Sequence, residues 1–544
     1  MNQPIEIDVL DLNHLGIIAG IVDEIGIVKI TNQLLGKHPL EEVSAGHVVK
    51  ALILNCLGFL TAPLYLFNRF FIGKATEHLI GEGVQPEHLN DSRIGRVLDQ
   101  LHERGLTYVF MEIALATVKQ FGVHTELAHL DSSSFCVQGE YINTHTEASE
   151  SDEPTPIEIT HGYSRDHRPE LKQFTLDLIT SGDGDVPLYL RVGNGNDADS
   201  TVFTEVIAQF QQQWKAAQPK VYVADAALYQ EDNLTALGTT PWISRVPATI
   251  AEAQGLMKTL PPSRFEVSSH HNYTIAQVCS TYGGVPQRWL IVHSKSRQKS
   301  DLKQLDKRIA RAETKAIKAL QQLTNHGFAC SADALSAAQA ENKKLKYHQL
   351  TEIEVRLKPH YHHAGRPRKD ELPIGYTYHI DATLVPHESV IEARQKQAGR
   401  FILATNLLDD KLWPPETILQ EYKNQQSCER GFRFLKDPLF FASRVFVKKP
   451  QRVAALAMIM GLCLLVYTIG QRQLRSSLTL TSQTIPNQRG QPTERPTLRW
   501  VMQCFQSVHL ILVADQKPII KLNDVQKHIL SFLGSACQKY YFLC

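Results

Sequence analysis

The side chains best suited to chemistry lie in one short stretch, residues 422–436, which reads YKNQQSCERGFRFLK. In a helix, Tyr422, Gln425, Glu429 and Lys436 fall on one stripe, because they are separated by three, four and seven residues. The stripe combines a carboxylate with an aromatic ring, an amide and an ammonium group. Such a surface suits a phosphodiester together with a divalent cation. A solvated charged helix face is the alternative interpretation of the same pattern.

Two further acids occur within apolar segments that have the composition of buried strands. Asp131 lies in LAHLDSSSF, residues 127–135, and Asp225 lies in KVYVADAALY, residues 220–229. An aspartate in or just after a buried strand is costly unless it is paired or bound to a cation. Together with Glu429, these aspartates therefore predict a cluster of three carboxylates.

Other residues compete for a chemical role. The serines beside Asp131 suggest a nucleophile, but no nearby base would activate them. Five other aspartates are expected to orient a loop arginine or histidine, to form a turn, or to cap a helix. In that order they are Asp166; Asp183 and Asp185; and Asp197 and Asp199.

In order and context, the three acidic segments resemble the DDE transposases of bacterial insertion sequences. Tyr422, Glu429 and Lys436 match the family pattern Y-x2-R-x3-E-x6-K, whereas Gln425 stands where the family has arginine. Two further segments resemble one branch of the family, and the resembling pieces span about residues 125 to 475. These segments are HGYSRDHRPELKQF, residues 161–174, and ERGFRFLKDPLF, residues 429–440.

The resemblance implies a mixed α+β or α/β fold, in which an insertion domain interrupts a ribonuclease H-like catalytic core and an all-α N-terminal domain precedes it. It also implies that Asp131, Asp225 and Glu429 are both the catalytic residues and the metal ligands. Carboxylate oxygens favour Mg2+ or Mn2+ over zinc, and two ions are expected. The expected DNA-binding residues are Tyr422, Gln425, Arg430, Arg433 and Lys436.

The implied activity is cut-and-paste DNA transposition. The partners would be double-stranded DNA, both the terminal inverted repeats of the element and the target, and a second copy of the chain in a synaptic homodimer. The alternative is a catalytically inactive or domesticated DNA-binding protein that retains the fold. Gln425 in place of arginine is the main support for that alternative, and retention of all three acids favours the active enzyme.

The elements that must position these residues form several domains, because 544 residues are too many for one ordinary domain. After residue 119, three antiparallel strands, a helix and a further strand follow the ribonuclease H-like order, which brings the centre of the first strand beside the end of the fourth. The predicted parts are a helical domain, either DNA-end-binding or a plain bundle, at 1–118; the first part of the core at 119–249; an insertion of strands and charged helices at 250–395; the rest of the core with the acidic helix at 396–475; and a C-terminal helical region at 476–544.

Composition limits the cellular setting. The net charge of +1 argues neither for nor against nucleic acid, but ten Lys or Arg against two acids between Tyr422 and Arg475 make the region around the acidic helix basic. Nine cysteines without a C-x-x-C pair fit a reducing cytoplasm, where we expect the protein at the bacterial nucleoid. The charge-free segment Val453–Gly470 is expected to be a core helix, so no membrane association is predicted.

Two motifs in the insertion invite other interpretations. His360, His362 and His363 could bind zinc, but no cysteine accompanies them, so a surface cluster is expected. AGRPRKD, residues 364–370, contains the Gly-Arg-Pro of minor-groove arms, a short pattern that also occurs by chance.

Overall fold

The chain divides into two units whose boundaries do not follow the sequence in order. A computed structural model of the protein describes residues 7–36, 41–59, 66–141, 154–214, 219–362, 372–437, 447–513 and 518–543. The first unit comprises Met1–Ser244, Tyr282–Val285 and Thr417–Cys544, and the second comprises Arg245–Thr281 and Pro286–Glu416. His363 and the predicted minor-groove motif at 364–370 lie outside the described residues.

The N-terminal part of the first unit is helical after one strand. Ser44 and Asn90 each begin a helix, because their side-chain oxygens accept from the backbone N–H groups of His47 at 3.3 Å and Arg93 at 2.9 Å. The sequence predicts the cap at Ser44 and leaves the second cap open between Asn90 and Asp91. The elements are β1 (Ile7–Asp11), α1 (Leu15–Ile25), α2 (Ile27–Leu35), α3 (Ala45–Cys56), α4 (Phe67–Phe71), α5 (Thr76–Ile80), α6 (Asp91–Arg104) and α7 (Leu106–Phe121).

The central sheet of the first unit has the ribonuclease H-like arrangement that the sequence predicts. Three antiparallel strands are followed by two strands parallel to the first of them, in the order β4-β3-β2-β5-β6. Mixed architecture with a helical N-terminal region confirms the predicted fold class. The elements are β2 (Leu127–Val137), β3 (Lys172–Ser181), β4 (Pro187–Gly193), α8 (Asp199–Gln213), β5 (Val221–Ala224), α9 (Glu231–Leu237) and β6 (Trp242–Arg245).

The second unit combines strands with long charged helices. Its strands follow the order β12-β9-β8-β7, beside a separate hairpin of β10 and β11, whose Ile380 packs against Ala334 and Ala338 of α12. The charged stretch breaks between α11 and α12, as the sequence predicts. The elements are α10 (Ala251–Thr259), β7 (Glu266–Val267), β8 (Tyr273–Tyr282), β9 (Val285–Ser294), α11 (Lys295–Asn325), α12 (Ser331–Lys344), β10 (His348–His360), β11 (Gly375–Pro386), α13 (Glu388–Gln397) and β12 (Arg400–Thr405).

The acidic stretch is two helices and not the single helix that the stripe assumes. α14 (Pro415–Asn424) ends just before Gln425, and α15 (Gln426–Leu435) begins just after it. The backbone N–H of Gln425 donates to Tyr422 O, and that of Cys428 donates to Gln425 O, both at 3.2 Å and both across three residues. This tighter turn replaces the α-helical pattern locally.

α16 (Pro450–Thr481) is the long apolar helix of the first unit. It is the one described helix that is long and apolar enough to cross a membrane, but its most apolar eighteen-residue window is 89% buried inside the protein. It contacts α1, α3, α6, α7, α15 and β4. Near its start, Arg452 forms a two-pronged ion pair with Asp99 of α6, at 2.7 and 2.6 Å. Burial of this kind is typical of a core helix.

The C-terminal residues form short strands as well as the predicted helices. The strand at 509–513 pairs antiparallel with β1, so segments from the two ends of the chain share one small sheet. A local pattern does not reveal a partner this distant. The elements are β13 (Ile485–Pro486), β14 (Pro492–Thr493), α17 (Leu498–Cys504), β15 (His509–Val513), β16 (Ile519–Ile520), α18 (Asp524–Ser531) and α19 (Ser535–Gln538).

Candidate active site

Two neighbouring parallel strands bring Asp131 and Asp225 together. β2 and β5 pair with Leu130 opposite Ala224, so the two aspartates are the next residues on adjacent strands. Asp131 lies in the middle of β2, whereas Asp225 follows the last residue of β5. The sequence predicts this juxtaposition.

Each aspartate is oriented by hydrogen bonds to its own segment. The Ser132 N–H donates to Asp131 Oδ1 and the Ala227 N–H donates to Asp225 Oδ1, both at 2.8 Å. The Ser244 hydroxyl also donates to the carbonyl oxygen of Asp225 at 2.6 Å. Carboxylates held in this way need little reorganisation when a charged ligand arrives.

α15 presents Glu429 to the same place. The two residues before Glu429 are buried against the sheet: the Cys428 thiol donates to the carbonyl oxygen of His129 at 3.1 Å, and the Ser427 hydroxyl lies 3.0 Å from that of Thr180. These contacts fix the first turn of α15 on β2 and β3. Glu429 therefore lines the same cavity as the aspartates from a helix that is fixed on the sheet.

The three predicted acids line one cavity of about 380 Å³. Strand, loop and helix residues all contribute to its wall. The lining residues are Asp131, Ser133, Arg165, Asp225, Tyr422, Gln425, Glu429 and Phe432. The cavity thus contains three carboxylates, one guanidinium group and two aromatic rings.

The donor set fits a hard divalent cation. Carboxylate oxygens are the ligands that Mg2+ and Mn2+ take in proteins, and the cavity supplies three carboxylates from three elements. Within the described ranges, no three His, Cys, Asp or Glu side chains stand close enough to hold one ion. The carboxylates line the cavity without converging on a single point.

Among the described residues that line the cavity, Arg165 is the one cation, and the sequence predicts no role for it there. Its Nη1 lies 3.6 Å from Asp131 Oδ1. Arg165 belongs to the connection between β2 and β3, the segment HGYSRDHRPELKQF. Asp166 pairs with Lys436 at 2.9 Å, and the predicted role of Asp166 in orienting Arg165 or His167 stays a prediction.

The residues predicted to bind DNA have different surroundings. The Gln425 side chain is buried, and its Nε2 lies 3.5 Å from the Leu130 carbonyl oxygen. Arg430 forms a two-pronged ion pair with Asp185 at 2.9 and 2.8 Å. Lys436 lies 5.1 Å from the centre of the Phe135 ring, in addition to its ion pair with Asp166. Arg433 is exposed, and Tyr422 lines the cavity. Their contact with DNA stays a prediction.

Two buried side chains beside the acids, His129 and Cys428, are uncharged. His129 is fully buried, and among the described residues neither of its ring nitrogens has a hydrogen-bond partner. Burial, with a smaller effect of Arg430, lowers the pKa of His129 to about 4, so the imidazole is uncharged near neutral pH. Burial and then nearby Asp131 raise the pKa of the Cys428 thiol, which keeps it protonated. Charge at the site is therefore confined to the cavity wall.

The histidines of the insertion have a simpler setting. His360 Nε2 contacts the hydroxyl of Thr377 across the β10–β11 hairpin, and its side chain is exposed. The described histidines form no group that could hold a metal.

Two family models match the chain. The model described as Transposase DDE domain matches residues 130–467, which is more than half of the sequence. The model described as Domain of unknown function (DUF4277) matches residues 7–115. A comparison with curated proteins gives no match.

Solved structures give weaker similarities. The cryo-EM structure of the piggyBac transposase synaptic complex with hairpin DNA is 9% identical, with a TM-score of 0.38, and the match covers 97% of this chain and 80% of that chain. The Mos1 transposase paired-end complex with left transposon end is 14% identical, with a TM-score of 0.15, and the match covers 31% of this chain and 54% of that chain.

Proposed function

The chain belongs to the family of DDE transposases, and we propose that it is an active enzyme that cleaves DNA at the ends of an insertion sequence and joins those ends to target DNA. One observation carries this proposal: three carboxylates from β2, the end of β5 and α15 line a single cavity. Asp131 lies on a central strand with its side chain 14% exposed, a position that an apolar side chain would fill if no charge were needed there.

Asp131, Asp225 and Glu429 would hold Mg2+ or Mn2+, in the two-ion arrangement typical of phosphoryl transfer. When bound, the ions supply an activated water or 3′-hydroxyl and stabilise the leaving oxygen. The protein contributes orientation: backbone N–H groups hold both aspartates, and buried Ser427 and Cys428 hold the helix that carries Glu429.

The basic side chains around α15 would contact the DNA backbone. Arg433 is exposed and needs no rearrangement, whereas Arg430 and Lys436 would exchange a carboxylate for a phosphate. Phosphate neutralisation makes such binding salt-dependent. We further propose that the partners are the terminal inverted repeats and target DNA, that a homodimer pairs two ends, and that the protein acts at the bacterial nucleoid.

The second candidate is an inactive or domesticated DNA-binding protein. Gln425 favours it, because an amide lacks the charge and planar fork that arginine offers a phosphate. The buried amide is also directed towards the Leu130 carbonyl and not towards solvent.

Cleavage of labelled duplexes separates the two candidates. The probes carry the DNA that flanks the gene, and the proteins are the wild type, Asp131→Asn, Asp225→Asn and Glu429→Gln. We expect strand-specific cleavage that requires Mg2+ or Mn2+ in the wild type alone, with DNA binding retained in every variant. Glu170→Gln is the control, because Glu170 is an exposed acid that pairs with Arg168 and does not line the cavity.

Wild-type protein that binds these duplexes but never nicks them would favour the inactive DNA-binding protein. Cleavage that survives loss of any one carboxylate would remove that residue from the site.

A further inference from the structure

A single arginine lies among the acids of the cavity. Arg165 is the one Lys or Arg among the described residues that line it, and its side chain is 30% exposed. Its Nη1 lies 3.6 Å from Asp131 Oδ1, within the range of an ion pair. A partly exposed arginine can exchange a carboxylate for a phosphate oxygen, because both anions present the same paired oxygens to its planar fork.

The loop that carries Arg165 is fixed on both sides of that residue. The Arg165 N–H donates to the Ser134 hydroxyl on β2 at 3.1 Å. The next residue, Asp166, accepts two hydrogen bonds from Lys436 at the end of α15, at 2.9 and 3.1 Å. The backbone is thus tied to the same strand and helix that present Asp131 and Glu429.

Further upstream, the loop approaches the turn that follows β4 so closely that only glycine fits at residue 162. A Cβ on Gly162 would lie 2.0 Å from the Gly195 carbonyl oxygen. Gln173 closes this contact by donating from Nε2 to Tyr163 O at 3.2 Å and to Gly195 O at 2.7 Å. A loop built this tightly holds its side chains in defined positions.

Gln425, the neutral residue between α14 and α15, lines the same cavity. Gln425 occupies the position where the family pattern has a cation, but its amide approaches the backbone of β2. A phosphodiester that enters a cavity with three carboxylates meets strong repulsion unless positive charge accompanies it. Besides bound cations, Arg165 is the group on the cavity wall that can supply that charge.

We propose that Arg165 contacts the scissile phosphate and supplies, from the β2–β3 loop, the positive charge that Gln425 lacks. The inference rests on the proposed function, because it names a substrate-contacting residue of that site. Arg165 releases Asp131 when DNA enters, and its planar fork then donates to the non-bridging phosphate oxygens. Asp166 and Lys436 are positioning residues in this scheme.

The first test is single-turnover cleavage by wild type, Arg165→Gln, Arg165→Lys and Arg168→Gln with Mn2+ and the flanking-DNA duplex. We expect Arg165→Gln to be slower by about 100-fold or more, as for loss of one preorganised donor to a transition state. Arg165→Lys should be intermediate, because lysine keeps the charge without the fork. Arg168→Gln, on the same loop but paired with Glu170, should match wild type.

The second test separates contact from folding. A neutral methylphosphonate replaces the scissile phosphate, and binding is measured instead of cleavage. We expect the replacement to weaken binding by wild type and to leave binding by Arg165→Gln unchanged or tighter, because without Arg165 the three carboxylates repel the charged phosphate. Equal weakening in both proteins, or a wild-type cleavage rate in Arg165→Gln, would overturn the proposal.

Glu429→Gln in the same assays tells the two failures apart. If it is inactive while Arg165→Gln cleaves normally, the transposase proposal stands and the role of Arg165 falls. If wild type itself does not cleave, both fall.

Discussion

The ion pair between Lys436 and Asp166 allows a direct comparison of two roles for Lys436. If Lys436 mainly anchors the Arg165 loop, then Asp166→Asn and Lys436→Met should both slow cleavage, because each breaks one end of the anchor. If Lys436 mainly contacts DNA phosphate, Asp166→Asn should free the lysine and tighten DNA binding. The two substitutions therefore change binding in opposite directions under the second role.

The expected size follows from the contacts. Both side chains are partly exposed, at 25% and 40%, and a pair of this kind contributes about 0.2–1 kcal/mol. Lys436 also lies over the Phe135 ring at 5.1 Å, a contact that contributes about 0.5–1 kcal/mol. Because about 1.36 kcal/mol is tenfold in rate, Asp166→Asn should slow cleavage about 1.4- to fivefold and Lys436→Met about three- to thirtyfold.

The assay is single-turnover cleavage of the flanking-DNA duplex, together with binding measured over a range of salt concentrations. An anchor predicts that the logarithmic salt slope is unchanged in both variants. A slope reduced by about one counterion in Lys436→Met, with tighter binding by Asp166→Asn, would refute the anchor and establish the phosphate contact.

Two other substitutions give sharp expectations. Gln425→Arg alone should not speed cleavage, and it should lower the free energy of unfolding because it buries a second guanidinium group near Arg165. In the Arg165→Gln background the same substitution should restore part of the lost cleavage rate. A double-mutant cycle that shows no coupling would contradict the shared role. Arg452→Met should destabilise the protein near pH 7 and progressively less below about pH 3.8. The hydrogen bond from Arg452 holds the pKa of Asp99 below its ordinary value, and that stabilisation disappears as Asp99 is protonated. Urea unfolding at several pH values measures the difference between variant and wild type.

The positions of the acids could be predicted because their chemistry is visible locally. An aspartate in an apolar strand is costly wherever the strand goes, so Asp131 and Asp225 are conspicuous in the sequence alone. Their proximity then follows from the order of strands in a ribonuclease H-like sheet. The register of β2 and β5 confirms that proximity.

The electrostatic environment could not be predicted in the same way. Lys436 and its partner Asp166 are 270 residues apart, and Arg430 and Asp185 are 245 apart, so no periodic pattern connects them. The break at Gln425 was missed because the polar stripe is compatible with one continuous helix. It depends instead on a buried amide that lies near a strand 295 residues away.

α16 has a consequence for how the chain is made. Ribosomes add about 5–20 residues per second, so the early helices α1, α3, α6 and α7 wait on the order of tens of seconds before α16 emerges to cover them. During that interval their apolar faces are open to chaperones or to other nascent chains. Synthesis that stalls before Pro450 would leave a product with an exposed core, which we expect cells to degrade and not to accumulate as a free N-terminal fragment.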